Sequence, residues 1–280
     1  MNKTAWAFFG TDEFAVGVLS ELQRLGLTPG LIVTAPDTPQ GRKLTLVASP
    51  VKTWALQQAI PTIQPASLKA IPVELASKKW DFFALASYGK IIPASVLSLP
   101  AKGSLNIHPS LLPLYRGSSP LQTAILNGDL ETGVTLMLMD DQIDHGPIIA
   151  QEKVPIANPS YEELRDLLAA KGASLMAYAL PDWLNGKLQA VEQDHGKAVM
   201  TRKVAKQDGL IDINADPVQN DRKIRAYSPW PGTFFFIEKN GRPLRIVIKK
   251  AVIENGQFII ERVIPEGKHE MNWADFSRNL

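Results

Sequence analysis

The hydrophobic rhythm of this chain changes once, and the change limits what it can fold into. From residue 5 to about residue 185, short unbroken apolar runs alternate with amphipathic segments. An unbroken run suits a strand covered on both faces, and alternation with helices suits a parallel sheet wrapped by helices. Strands are expected at 5–9, 31–34, 61–64, 81–87, 103–108 and 134–139. Helices are expected at 14–25, 51–58, 67–78 (despite Pro72), 120–127 and 161–185, with a Pro- and Gly-rich loop over 35–49. After residue 205 the runs shorten, alternate apolar with polar, and are separated by Asn240-Gly241 and Asn255-Gly256, which are hairpin turns by composition. There strands are expected at 233–238, 244–250 and 257–263, with Leu244, Ile246 and Ile248 facing a core and Arg245 and Lys249 facing outward. The expected architecture is a doubly wound, mostly parallel α/β sheet of Rossmann-like type over residues 1–188, a polar linker over 189–204, and a small or partly open β-barrel of OB-like type over 205–280.

Composition narrows the function classes. At 45% hydrophobic and 21% charged residues the chain is ordinary for a globular protein. No apolar run approaches the ~18 residues of a membrane span. The first residues lead directly into a strand, with no signal-peptide pattern, so a cytoplasmic protein is expected. There is no cysteine, which removes disulfides, thiolate nucleophiles and sulfur-ligated zinc, and the four histidines show no paired helical spacing. No metal is expected. Residues 191–280 hold 15 Lys+Arg against 12 Asp+Glu, whereas the remainder holds 15 against 16. The basic part points weakly to a polyanionic partner.

The chemistry-bearing stretch is Asn106-Ile107-His108, followed by Pro109-Ser110-Leu111-Leu112-Pro113-Leu114-Tyr115-Arg116-Gly117. Residues two apart on a strand share a face, so Asn106 and His108 point together at the C-terminal end of a strand, where open α/β sheets place ligands. An amide N–H donor beside an imidazole suits a carbonyl oxygen becoming an oxyanion while protons move nearby. The strand expected at 134–139 runs into Asp140, Asp141 and Asp144, then His145-Gly146-Pro147. One carboxylate there can orient His108 or take a proton from an amine; Asp140 and Asp141 read as a solvated turn. The loop after the first strand has only Gly10, with Asp12 and Glu13 where a pyrophosphate would need to approach, so no dinucleotide cofactor is expected. His195 and His269 read as surface residues, and Trp230 as a packing residue.

Asn106-x-His108, Ser110-Leu111-Leu112-Pro113 with Arg116-Gly117, and Asp144 before Gly146 resemble the folate-dependent formyltransferases. Further stretches resemble the branch of that family whose acceptor is methionyl-tRNA. They are Phe9-Gly10-Thr11-Asp12-Glu13-Phe14-Ala15, Thr34-Ala35-Pro36-Asp37 through Gly41-Arg42-Lys43 to Ser49-Pro50-Val51-Lys52, Ser87-Tyr88-Gly89-Lys90-Ile91-Ile92-Pro93, and Ile224-Arg225-Ala226-Tyr227-Ser228-Pro229-Trp230-Pro231-Gly232. The resemblance runs through nearly the whole chain in order. It implies a monomer that moves a formyl group from 10-formyltetrahydrofolate to the amine of initiator methionyl-tRNA. Asn106 would hold the formyl oxygen, His108 would stabilise charge or shuttle a proton, and Asp144 would poise the histidine and help deprotonate the amine. Tyr88, Gly89, Ser110, Leu111, Leu112 and Pro113 would line the folate pocket. Arg42 and Lys43 would reach the acceptor end of the tRNA, and Arg245 and Lys249 would meet its phosphates. His145 stands where the resemblance leads one to expect a small polar residue. A nucleotide-sugar N-formyltransferase using the same donor is the alternative reading.

Overall fold

The computed structural model describes residues 4–40, 44–278 and 280. These described residues form two compact units, one drawn from within 4–116, 132–154 and 165–200, the other from within 117–131, 155–164 and 201–280.

The first unit is built on a seven-stranded sheet. Its strands are β1 (Trp6–Gly10), β2 (Leu31–Val33), β5 (Thr62–Ile63), β6 (Phe82–Ala86), β7 (Ser104–His108), β9 (Glu131–Leu138) and β10 (Ile148–Pro155). They lie in the order β10-β9-β7-β6-β1-β2-β5. The central strands are parallel: Trp6 to Gly10 lie opposite Phe82 to Ala86, and Leu85 lies opposite Asn106. Every residue of β1 and β6 is buried, which is why both read as unbroken apolar runs. One face packs Ala7, Phe9, Val33, Phe83 and Leu85 against Leu75, Trp80, Val96 and Leu97. On the other, the Trp6 and Phe82 rings stack with centroids 5.2 Å apart. Helix α6 (Tyr161–Leu184) comes so close beneath β7 that a Cβ on Gly172 would sit 2.4 Å from Ile107.

The sheet order reverses between β1 and β6, and a doubly wound sheet opens its crevice at that switch, beyond the strands' C-terminal ends. Helix α1 (Glu13–Arg24) starts there with Asp12 as its N-cap, accepting from the Ala15 amide. The reading of Asp12 as a helix-starting residue therefore holds.

Several elements differ from expectation. The loop over 35–49 contains an antiparallel pair, β3 (Thr38–Gln40) and β4 (Thr45–Val47), before α2 (Pro50–Gln57). The helix expected over 67–78 shrinks to α3 (Val73–Ala76). Pro72 stands extended at its N-cap, and proline both lacks the N–H a continuing helix needs and bars helical geometry in the residue before it. A short helix, α4 (Ala94–Leu97), follows Pro93. Strand β9 runs antiparallel to β7, and β10 was not expected at all.

In the second unit, α5 (Pro120–Asn127) packs against α7 (Pro217–Ala226). The β-rich part is a four-stranded antiparallel sheet of β12 (Thr233–Lys239), β13 (Arg242–Glu254), β14 (Gln257–Pro265) and β15 (Met271–Asn272), closed by α8 (Trp273–Ser277). Ile246, Ile248, Phe235, Val263 and Phe276 form its core, with Leu244 packed against them. The alternation expected of this strand is present; β13 bends through register shifts beside Lys250 and continues to Glu254. A two-residue pairing of β8 (Arg116–Gly117) with β11 (Met200–Thr201) completes the sheets. No described helix is long and apolar enough to cross a membrane.

Candidate active site

The end of β7 brings the expected trio together. Asn106 donates from Nδ2 to Asp144 Oδ1 at 3.3 Å, and His108 Nδ1 lies 3.5 Å from the same oxygen. His108 is only 4% exposed, so its orientation is set by protein rather than solvent. Its Nε2 lies 2.9 Å from the Tyr115 carbonyl, which can only accept, so Nε2 carries the proton and Nδ1 faces the carboxylate.

The proline-bounded loop that follows is held by its own backbone. Ser110 Oγ donates to the Leu114 carbonyl at 2.6 Å, and the Leu114 amide donates to the Leu111 carbonyl. Thr135, opposite His108 in the β7–β9 register, donates to the Ser110 carbonyl and accepts from the Leu112 amide. Gln151 of β10 donates to the Leu112 carbonyl and to Thr135. Neither Thr135 nor Gln151 was expected; the trace of the first is the single hydroxyl in the apolar run 134–139. Ser110 and Leu112 are buried, whereas Leu111 and Pro113 keep partial exposure.

Asp144 sits on the loop after β9 in left-handed backbone, at φ 48°. Ser87 and Tyr115 also have positive φ, at 48° and 60°. Such residues store on the order of 1–3 kcal/mol each. The fully buried Phe8, Phe9, Phe82 and Phe83 of the adjoining strands gain about 1.5–3 kcal/mol apiece, enough to offset them. Gly146 closes the same loop, and a Cβ there would lie 2.0 Å from the Leu138 carbonyl. Asp140 is not a free solvated acid: its carboxylate accepts a hydrogen bond from His145 Nδ1 at 2.6 Å. The His145 ring stacks on His195, centroids 4.0 Å apart and planes within 4°. His195 is exposed as expected, yet Arg116 Nη2 donates to its Nδ1 at 2.8 Å. Arg116 also donates to Gln193, from the segment expected as linker, and Gln193 in turn donates to the Asp144 and Gly146 carbonyls.

At the switch point the segment expected to meet folate springs from β6. The Tyr88 ring turns into the core, edge-on to Phe9 at 5.5 Å, and burial pushes its hydroxyl up to about 12. Only its backbone is left to face a ligand, and its carbonyl already accepts from Thr11 Oγ1 at 2.8 Å. Gly89, at φ 73°, has open space where a side chain would be. Ser87 donates to Asp12, whose carboxyl keeps solvent on one side and is crowded by protein on the others. That crowding raises it above the usual carboxylate range, against the hydrogen bonds from Ser87 and from the Ala15 and Phe14 amides.

In the second unit the two expected tRNA contacts separate. Lys249 is exposed, but the Arg245 guanidinium lies 3.8 Å over the Phe234 ring and is half-buried. Arg42 and Lys43 lie outside the described residues. Among the described residues no three His, Asp or Glu side chains converge on a metal position.

Two family models match the chain, formyl transferase over residues 3–180 and formyl transferase, C-terminal domain, over residues 203–258. A methionyl-tRNA formyltransferase of Myxococcus xanthus is 36% identical, over 99% of this chain and 95% of its own. One from Chloroflexus aurantiacus is 42% identical over 88% and 79%. Among solved structures, the N-formyltransferase of Helicobacter canadensis, in complex with folinic acid and dTDP-3-aminofucose, matches with TM-score 0.63 at 20% identity, over 90% of this chain and 89% of its own. The methionyl-tRNA formyltransferase of Clostridium thermocellum matches with TM-score 0.61 at 17% identity, over 94% and 99%. The structural likenesses carry the fold. The sequence likenesses run through both parts of the molecule, and by them the chain belongs to the formyl transferase family, on its methionyl-tRNA formyltransferase branch.

Proposed function

We propose that this protein transfers the formyl group of 10-formyltetrahydrofolate to the α-amine of initiator methionyl-tRNA, as a cytoplasmic monomer. The observation that carries the mechanism is the convergence of Asn106 and His108, at a strand's C-terminal end, on one carboxylate oxygen of Asp144, at 3.3 and 3.5 Å. The neutral amine attacks the formyl carbon, a carbon–nitrogen bond forms, and the carbonyl electrons move onto oxygen. The Asn106 N–H donates to that oxyanion, a preorganised dipole where charge develops. Asp144 draws the proton from the attacking amine, and His108 relays it across Nδ1. Collapse of the intermediate breaks the bond to N10 of the folate, which takes the proton and leaves as tetrahydrofolate. No covalent enzyme intermediate is needed. The backbone of Tyr88 and Gly89 and the loop from Ser110 to Pro113 would hold the folate, and the exposed basic side chains of the second unit would meet tRNA phosphates.

The test is formyl transfer to methionyl-tRNA at low and moderate salt, with released tetrahydrofolate followed in parallel. Formylated tRNA, with apparent affinity falling as salt rises, is the expected result. Transfer to a nucleotide amino sugar with none to tRNA would establish the sugar acceptor instead.

A further inference from the structure

The contacts around the trio close into a ring, and one member has no assigned role. His108 Nε2 is held by the Tyr115 carbonyl; the next residue, Arg116, donates from Nε and Nη2 to Gln193 Oε1 at 3.1 and 2.7 Å. Gln193 Nε2 donates to the carbonyls of Asp144 at 3.0 Å and Gly146 at 2.7 Å, and the Asp144 carboxylate returns to His108. Arg116 can only donate, so Oε1 must face it and the amide nitrogen must face the loop. Each of its two hydrogens then fixes one of two carbonyls that straddle His145. Asp144 is in left-handed backbone, and the orientation of these peptide planes decides where its carboxylate points. Gln193 is 5% exposed, so water does not compete for these bonds. The stacked His145 and His195 flank the same loop, His195 tied to Arg116 and His145 to Asp140.

We infer that Gln193 is a positioning residue for formyl transfer. It locks the loop after β9 to the loop after β7, and thereby holds Asp144 at hydrogen-bonding distance from Asn106 and His108. This rests on the proposed mechanism for Asp144 but not on the identity of the acceptor. A catalytic group displaced by about 1 Å can lose on the order of 100-fold in rate.

Two variants test it. Gln193→Glu keeps the length and the Arg116 pairing but turns an acceptor toward two carbonyls; Gln193→Met keeps the length and removes the donors without adding charge. Amide hydrogen exchange over residues 140–147, kcat and KM for methionyl-tRNA, and the Kd for 5-formyltetrahydrofolate are measured on each. The expected result is about tenfold faster exchange in that loop, with kcat lowered about 10- to 100-fold and the folate Kd within about threefold of the parent. Unchanged loop exchange in both variants overturns the inference, as does a kcat loss that tracks only a fall in Tm. Exchange needs no acceptor. A parent protein inactive on methionyl-tRNA would therefore overturn the proposed acceptor, while faster exchange in the variants would still support the brace.

Discussion

The loop after His108 and the outer face of β13 were both expected to touch substrate, and they are built in opposite ways. In the first, nearly every polar group is spent on its neighbours: Ser110 on Leu114, Thr135 on Ser110 and Leu112, the Tyr115 carbonyl on His108. In the second, cations are spread over a surface, and several are already committed. Lys250 pairs with Glu261 and Arg245 lies over Phe234, while Arg262 on the neighbouring β14 pairs with Glu270. A site that makes and breaks bonds needs atoms fixed to fractions of an ångström. A surface that grips a polyanion needs only charge at the right density. Substitutions at the first should therefore change kcat steeply, and substitutions at the second should change salt dependence gently.

The steepest effect is expected for Asp144→Asn. Asparagine tolerates left-handed backbone, so the loop survives while the carboxylate is lost. A fall in kcat of about 100- to 10,000-fold is expected, with the melting temperature nearly unchanged. A modest kcat change with a large rise in KM for folate would place Asp144 in binding and blur the contrast between the two regions. Asn106→Ala follows, expected to lower kcat by about 100- to 1,000-fold. Single-turnover kinetics would check it, since loss of an oxyanion donor must appear in the chemical step. A burst with normal amplitude and rate would sink that role.

The trio was legible because its members obey short-range rules. Asn106 and His108 are two apart on a strand stopped by Pro109, and Asp144 lies just ahead of a Gly-Pro turn. Gln193 obeys none. Its partners are two backbone carbonyls and an arginine 77 residues away, in a segment whose polarity reads as linker. Strand direction was also invisible, since an apolar run such as β9 is the same read parallel or antiparallel. β10 escaped notice because Gln151, Glu152 and Lys153 interrupt its apolar pattern. α7 is largely polar, though Asp216-Pro217 is a fair start signal, with Asp216 accepting from the Val218 amide. The alternation in β13 put Arg245 on the outer face, but it says nothing of the adjacent strand. Phe236 lies opposite Arg245 and Phe234 opposite Val247, so Phe234 is its diagonal neighbour.

That neighbour makes Arg245 a packing residue first. Arg245→Met keeps an apolar stem over Phe234 and removes the cation–π attraction, about 1 kcal/mol for a half-buried pair. The expected outcome is a melting temperature lower by a few degrees, with the salt slope of tRNA binding unchanged. A slope reduced in step with one lost phosphate contact, and no change in melting temperature, would return Arg245 to the tRNA-contacting set.

Lys249 should give the smallest effect and the cleanest separation. It is exposed, and among the described residues no carboxylate pairs with it, so removing it leaves nothing orphaned. If it meets a phosphate, Lys249→Ala should reduce the slope of log affinity against log salt by about 0.7–0.9. Affinity should fall a few-fold at low salt and hardly at all at high salt, with kcat untouched. The same substitution should leave free-amine analogues of methionine, which carry no phosphates, entirely unaffected. An equal loss on tRNA and on the analogue would mean that the second unit acts on the chemistry and not through charge alone, and the division of labour between the two regions would fail at its weakest point.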